Sequence, residues 1–496
     1  MRRLVLIGLV VLASCSKSSS SSPPTPDAGP DLPDAVTFPA GFMWGTATAA
    51  FQVEKGSAHS DWATWVTIPG KIKNGDVPDA HVPDALAHID GDIGLMKGGG
   101  HNAYRFSIDW SRMYPTRAAF DNDSPDPAAV VAYDGLLTKL TAAGITPYVT
   151  LMHFAMPDYL ADATKPAEPQ GFERAETEDL FGQFCGRIAA RWGDKIDWYA
   201  TINEPVVVPL GGYVQGSFPP GRVLDTQRAF VYAAGEVRGH AKCFDAIHAK
   251  DPKAQVGPVV HQRAVEPNDP TDPDDVAATE HVRYLNNLWF LNAVVRGDFD
   301  ADVNGTLDGP TDKKADPALV HRADYIGVNY YSIVRVSAHS GIVIPPPVST
   351  AITPDHIASD RPKTDFVWDI YADGLLTVLM EAKDYALPLV ISENGLADAA
   401  DANRPRFIAE HLYQAGLAIQ RGADVRGYFH WSLYDNFEWA NGFCPKFGLY
   451  QIDPATSARV ARPSADTFRK FIQAARVSRA DIAATAPYTP PQTRCE

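Results

Sequence analysis

The sequence predicts one α/β domain, a single (β/α)8 TIM barrel with long loops after its strands. Three observations predict it. Eight short, apolar, β-prone runs recur between residues 36 and 475. Longer stretches of helical spacing separate them. No Pro/Gly-rich linker splits this span, and no fixed short repeat is visible.

The runs are GFMWGTATA (41–49), AYRFSID (103–109), TPYVTLMH (146–153), WYATINE (198–204), QVGPVVH (255–261), DYIGVNYY (324–331), PLVISEN (388–394) and GYFHWSL (427–433). Several are apolar throughout rather than alternating, as parallel strands covered on both faces are. Between them, Phe230, Ala233, Val237, Ala241 and Phe244 recur at spacings of three and four, one apolar helical stripe. Residues 405–421 behave likewise, with Pro405 suited to a first turn and Gly422 beyond the end. A doubly wound open sheet is the competing fold. It requires a Gly-rich phosphate turn after its first strand. KGGGHN (97–102) precedes a strand instead, and reads as a tight helix-to-strand turn.

The ends of the chain read differently. Arg2 and Arg3 precede an apolar run, Leu4 to Leu12, too short to span a bilayer. Leu12-Ala13-Ser14-Cys15 resembles the bacterial lipobox, in which the cysteine is acylated and becomes the new N-terminus. An ordinary secretory signal cleaved nearby is the alternative. The expected organisation is a lipoprotein signal peptide at 1–14, a Ser/Pro/Asp-rich disordered tether at 15–35, the barrel at 36–475 and a C-terminal tail at 476–496. From residue 36 onward no segment is apolar enough to cross a membrane, so membrane contact is expected only through the lipid on Cys15.

The 496-residue chain is 45% hydrophobic and its net charge is −16. That charge repels phosphates and anionic lipid, which argues against nucleic acid and membrane surfaces as partners. Besides Cys15 there are Cys185, Cys243, Cys444 and Cys495, widely separated and without metal-ligand spacing. An oxidising compartment permits a disulfide, but four scattered cysteines are more often partly free and buried, and no specific bridge is predicted.

In a barrel of this kind the reactive face lies at the C-terminal ends of the strands. The polar residues there are Arg105, His153, Asn203 with Glu204, Asn329 and Tyr331, Glu393 with Asn394, then Trp431 followed by Glu438 and Trp439. Glu204 and Glu393 top the fourth and seventh runs, on opposite sides of the barrel mouth. Two carboxyl groups flanking a cleft suit glycosidic bond cleavage, which needs one protonated and one ionised.

At these residues the chain resembles glycoside hydrolase family 1, the β-glucosidase family of retaining (β/α)8 enzymes. FMWGTATAAFQVEKG, YRFSIDWSRMYP, VTLMHFAMPDYL, TINEP, IGVNYYS, ISENG and YFHWSLYDNFEWANGF occur in the family's order. The resemblance implies Glu204 as acid/base and Glu393 as nucleophile. It implies Gln52, His153, Asn203, Glu438 and Trp439 as sugar binders and Trp431 as the platform beneath the sugar. Arg105 and Tyr331 would hold the nucleophile. The two carboxyl groups are then expected about 5–5.5 Å apart. Phe154, Ala155, Val206, Phe443 and Lys446 depart from the family's usual residues, mostly on the leaving-group side.

Other residues read as structure. Trp62, Trp65, Trp110 and Trp289 suit the core, His240 and His411 suit helix packing, and Asp435 and Asn436 suit loop support. The implied substrate is a β-glucoside or related β-glycoside. A catalytically silent sugar-binding member would be expected to lack one glutamate. A phospho-β-glycosidase would need phosphate donors where Glu438 and Trp439 stand. The two carboxyl groups supply all proton and covalent work, so no metal or organic cofactor is called for.

Overall fold

The computed structural model describes residues 32–339, 342–344, 350–352, 359–453 and 455–495. The signal segment, Cys15 and the tether up to residue 31 lie outside the described residues.

Eight parallel strands close into a barrel: β1 (Met43–Ala47), β2 (Ala103–Ser107), β3 (Thr146–Met152), β4 (Trp198–Asn203), β5 (Gln255–His261), β6 (Ile326–Tyr330), β7 (Leu389–Asn394) and β8 (Val425–Trp431). Seven fall inside a predicted run, and β8 begins two residues before its own. The order around the barrel is the order along the chain, and β8 pairs with β1 to close it. One helix follows each strand on the outside: α1 (Ile89–Gly98), α2 (Pro127–Ala142), α3 (Ala175–Trp192), α4 (Thr226–His248), α5 (Pro273–Arg283), α6 (Asp373–Ala382), α7 (Arg404–Gln420) and α8 (Pro463–Ala474). The KGGGHN stretch is the α1–β2 turn, and Gly100 takes a φ of +80° there, which favours glycine.

The strands are buried on both faces for two reasons. Outside, their side chains meet the helices in one continuous core. Inside, Met43, Ala103, Tyr148, Ala200, Tyr325, Val390 and Phe429 fill the barrel. Tyr325 Oη lies 2.9 Å from both Tyr148 Oη and the Tyr199 carbonyl oxygen, so the interior phenols satisfy one another. This plug is the floor on which the site rests.

The four remaining cysteines correct the sequence reading. Cys185 and Cys243 form a disulfide, and so do Cys444 and Cys495. The first pair sits on α3 and α4, which pack side by side and bring the two Cα atoms to 5.3 Å. The second ties the far C-terminus to the loop after β8. The 476–495 segment is thereby part of the body: Arg476–Ser478 pairs antiparallel with Ala35–Thr37, and Cys495 is fully buried. Among the described residues no helix is long and apolar enough to cross a membrane.

Candidate active site

Every site residue expected from the sequence, apart from Cys15, arrives at the mouth of the barrel. Glu393 is the penultimate residue of β7 and is buried. Arg105, from the middle of β2, donates to Glu393 Oε1 at 2.5 Å from Nη1. Tyr331, just past β6, donates its phenol to Oε2 at 2.6 Å. A guanidinium has no acceptor and a phenol here gives its proton away, so both bonds are those of a carboxylate. Gly395 follows because a Cβ there would stand 1.9 Å from the Trp431 carbonyl oxygen. The glycine of ISENG lets β7 and β8 meet.

Arg105 does more than hold Glu393. Its Nη2 donates to Asn203 Oδ1 at 2.7 Å and its Nε to Thr150 Oγ1 at 3.1 Å. Asn329, from β6, donates to Asn203 Oδ1 at 3.2 Å and to Glu204 Oε1 at 2.8 Å. Ser392 donates to Asn329 Oδ1 at 2.8 Å, which fixes the orientation of that amide. A single polar network, Glu393–Arg105–Asn203–Asn329–Glu204, therefore links the two carboxyl groups across the barrel.

Their surroundings differ. Glu204 follows β4 with a φ of +50°, a conformation costing an L-residue roughly 1–3 kcal/mol that clusters at functional sites. Its amide still donates to Val259 on β5, at 2.7 Å. Burial, then the charge of Glu393, push its carboxyl up to about 8. Glu438 is raised to about 8 for the same reasons, burial first and then Glu393 and Glu204. Among the described residues, Arg105 is the only cation bonded to any of the three, and it serves Glu393. The other two carboxyls hold protons near neutrality.

The sugar-binding candidates surround this pair. Gln52 Nε2 donates to the Phe437 carbonyl at 2.8 Å and to Asn436 Oδ1 at 3.0 Å, and reaches Glu438 Oε2 at 3.4 Å. Its Oε1 is buried without a protein partner. Asn203 Nδ2 lies 3.3 Å from His153 Nε2. The ring is kept neutral by burial and by Arg105, so Nε2 accepts and Nδ1 carries the proton. That Nδ1 is also buried without a partner. An unpaired acceptor and an unpaired donor, both desolvated, suit adjacent hydroxyl groups. The indoles of Trp431 and Trp439 lie nearly parallel to the His153 ring, with centroids at 6.0 and 6.1 Å.

The scaffold readings also hold. Trp62, Trp65, Trp110 and Trp289 are core residues. His240 bridges Thr201 and the Arg322 carbonyl, both at 2.6 Å. Asp435 is clamped by Arg462, and Asn436 supports Gln52. Sequence reasoning left three contributors unassigned. Asn329 and Ser392 are the connectors, and their strand-end positions were the available signal. The third is His261, the last residue of β5, at whose end no candidate was sought. The sequence also suggested no metal-ligand cluster. Among the described residues, the fold brings Asp272, Asp274 and His339 together, and Asp300, Asp302 and Asp312, each set within 4.8 Å. Neither set includes a residue of the site.

A closed (β/α)8 barrel carrying two buried glutamates above its strands, one held by a guanidinium and a phenol and the other by an amide, defines a hydrolase acting on O-glycosyl bonds. Comparison with known proteins agrees: residues 34–477 match the model of Glycosyl hydrolase family 1, and the chain belongs to that family. It is 31% identical to a β-glucosidase A of Thermotoga maritima over 86% of this chain and 96% of that protein. It is 31% identical to a β-galactosidase of Pyrococcus woesei over 88% and 97%. The solved family 1 β-glucosidase of Thermotoga maritima superposes with a TM-score of 0.80 at 29% identity, covering 90% of this chain and 100% of that one. The β-glycosidase of Thermosphaera aggregans gives 0.78 at 26%, covering 91% and 100%.

Proposed function

We propose that the protein is a retaining β-glycosidase, acting first on β-glucosides, that removes the non-reducing-end sugar by double displacement. The observation that carries this reading is the opposite dressing of two glutamates in one polar network. Glu393 accepts from a guanidinium and a phenol. Glu204 is buried, faces that negative charge, and holds a proton up to about pH 8.

In the first step Glu393 attacks the anomeric carbon. The bond to the leaving group breaks, and the Glu204 proton passes to the departing oxygen. The product is a glycosyl ester on Glu393 with an inverted anomeric centre. Glu393 is then uncharged, so its repulsion, which added to burial in keeping Glu204 protonated, is gone. Glu204, now a carboxylate, takes a proton from water. The water oxygen bonds to the anomeric carbon and the ester bond breaks. Two inversions give net retention. Asn203, held by Arg105 and Asn329, bonds the sugar 2-hydroxyl. Gln52, His153 and Glu438 bind the remaining hydroxyls, and Trp431 and Trp439 cover the C–H face.

The relatives' names span β-glucosidase and β-galactosidase, so the panel that tests this reading includes both sugars. Wild type, Glu204→Ala and Glu393→Ala are assayed on aryl β-glucosides, β-galactosides and β-fucosides. Both variants should lose activity by a factor of about 10³ or more on unactivated substrates. Azide should rescue Glu204→Ala to a β-glycosyl azide and Glu393→Ala to the α-anomer. No wild-type activity on any β-glycoside would favour a silent sugar-binding protein. We propose further that the enzyme is exported and anchored by lipid on Cys15. The two disulfides support this, since such bonds persist in oxidising compartments.

A further inference from the structure

The Glu204 carboxyl has two oxygens, and the fold treats them differently. Oε1 accepts from Asn329 at 2.8 Å. Among the described residues Oε2 accepts no such bond, and it is the oxygen free to carry a proton. The group facing it is the imidazole of His261, with Nδ1 4.0 Å away.

This imidazole is built in. His261 ends β5 and pairs in register with Asn329 on β6, so the two side chains flanking the carboxyl hang from neighbouring strand ends. Its ring stands edge-on to Tyr331, centroids 6.0 Å apart at 88°. Tyr331 is itself fixed by its bond to Glu393. The side chain is 14% exposed, and burial together with the Arg263 charge keeps the ring neutral. At 4.0 Å the contact is van der Waals packing, not a hydrogen bond.

The terminal torsion of a glutamate is soft, with a broad and roughly two-fold energy profile. One hydrogen bond to Oε1 leaves the carboxyl free to swing Oε2 about that anchor. We propose that His261 is a positioning residue for leaving-group protonation: its ring blocks that swing and keeps Glu204 Oε2 on the path of the glycosidic oxygen. This rests on Glu204 being the acid/base. His261 gains and loses no proton. The proton on Oε2 goes to the glycosidic oxygen as the bond to the anomeric carbon breaks.

The test is the dependence of kcat/KM on the leaving group, from 2,4-dinitrophenyl to alkyl β-glucosides, for wild type, His261→Ala, His261→Asn and Glu204→Ala. A dinitrophenolate departs without a proton, whereas an alkoxide does not. In His261→Ala, kcat/KM should fall about 10–100-fold for alkyl leaving groups, since a misplacement near 1 Å costs about that much. It should stay within about twofold for dinitrophenyl, where acid catalysis contributes little. The plot against leaving-group pKa therefore steepens. Asparagine sets an amide nitrogen near the place of Nδ1 and should restore most of the loss. An equal loss on every leaving group, or no loss on any, overturns the proposal. Glu204→Ala separates the two ideas. If its plot is steep while that of His261→Ala is unchanged, only the role of His261 fails. If its own plot stays flat, the acid/base assignment fails as well.

Discussion

At the scale of single residues, three carboxyl groups share one buried site in which, among the described residues, a single guanidinium is bonded, and the proposed chemistry follows from that imbalance. Tyr331→Phe removes one of two donors to Glu393 while keeping the ring. Its kcat should fall about 10–100-fold, with little change in binding of a neutral sugar inhibitor, because a donor aimed at developing charge is worth a few kcal/mol in a water-poor site. Glu204 gives the pH dependence. It is a useful acid only while protonated, so kcat/KM on unactivated glucosides should decline as pH rises through about 8. Stability follows the same titration. A carboxyl raised in the folded state from 4.5 to about 8 contributes stability that is full below about 4.5 and lost on the way to about 8. Glu204→Gln removes the buried charge. Its melting temperature should match wild type near pH 5 and exceed it at pH 9 by about 2–5 °C, at about 1 °C per kcal/mol for a chain this long. A Tm difference that does not change with pH would contradict the assigned protonation.

At the scale of elements, the strands were legible because parallel strands buried on both faces leave unbroken apolar runs, and each run ends where its polar residue is needed. TINEP and ISENG are such endings, so Glu204 and Glu393 could be placed before any geometry was known. The connectors were harder. Asn329 could be seen at a strand end, but its bonds to Asn203 and Glu204 depend on the order in which strands neighbour one another. His261 was invisible for a related reason: a histidine ending an apolar run looks like any packed histidine until Glu204 is beside it. The disulfides were illegible because sequence spacing does not say which helices touch. Cys185 and Cys243 lie 58 residues apart, and only the packing of α3 against α4 pairs them. Closing a loop that long should stabilise by about 2–4 kcal/mol. Cys185→Ser with Cys243→Ser should lower the melting temperature by a few degrees in non-reducing buffer and leave kcat/KM within about twofold, because these outer helices carry none of the site. Loss of activity at temperatures where the variant is folded would show that α3 and α4 do more than brace the barrel.

At the scale of the whole molecule, the proposed lipid anchor has to hold a chain of net charge −16 at a membrane. That net charge repels an anionic bilayer. The N-terminal apolar run, Leu4 to Leu12, is too short to span, and no described helix is suited to do so. In the proposed reading, attachment falls to lipid on Cys15, and stable anchoring takes more than one acyl chain. The segment from 16 to 35 is rich in Ser, Pro and Asp. The site itself draws on residues from Gln52 to Trp439, so anchor and chemistry should separate cleanly. Full-length chain produced with export should sediment with membranes and partition into the detergent-rich phase of a Triton X-114 extraction. Cys15→Ala should move to the aqueous phase with kcat/KM on aryl β-glucosides within about twofold of wild type, as expected when only the tether changes. Wild-type protein found wholly in the aqueous phase, with an N-terminus generated by simple cleavage, would replace the anchor with plain secretion and leave the barrel's chemistry untouched.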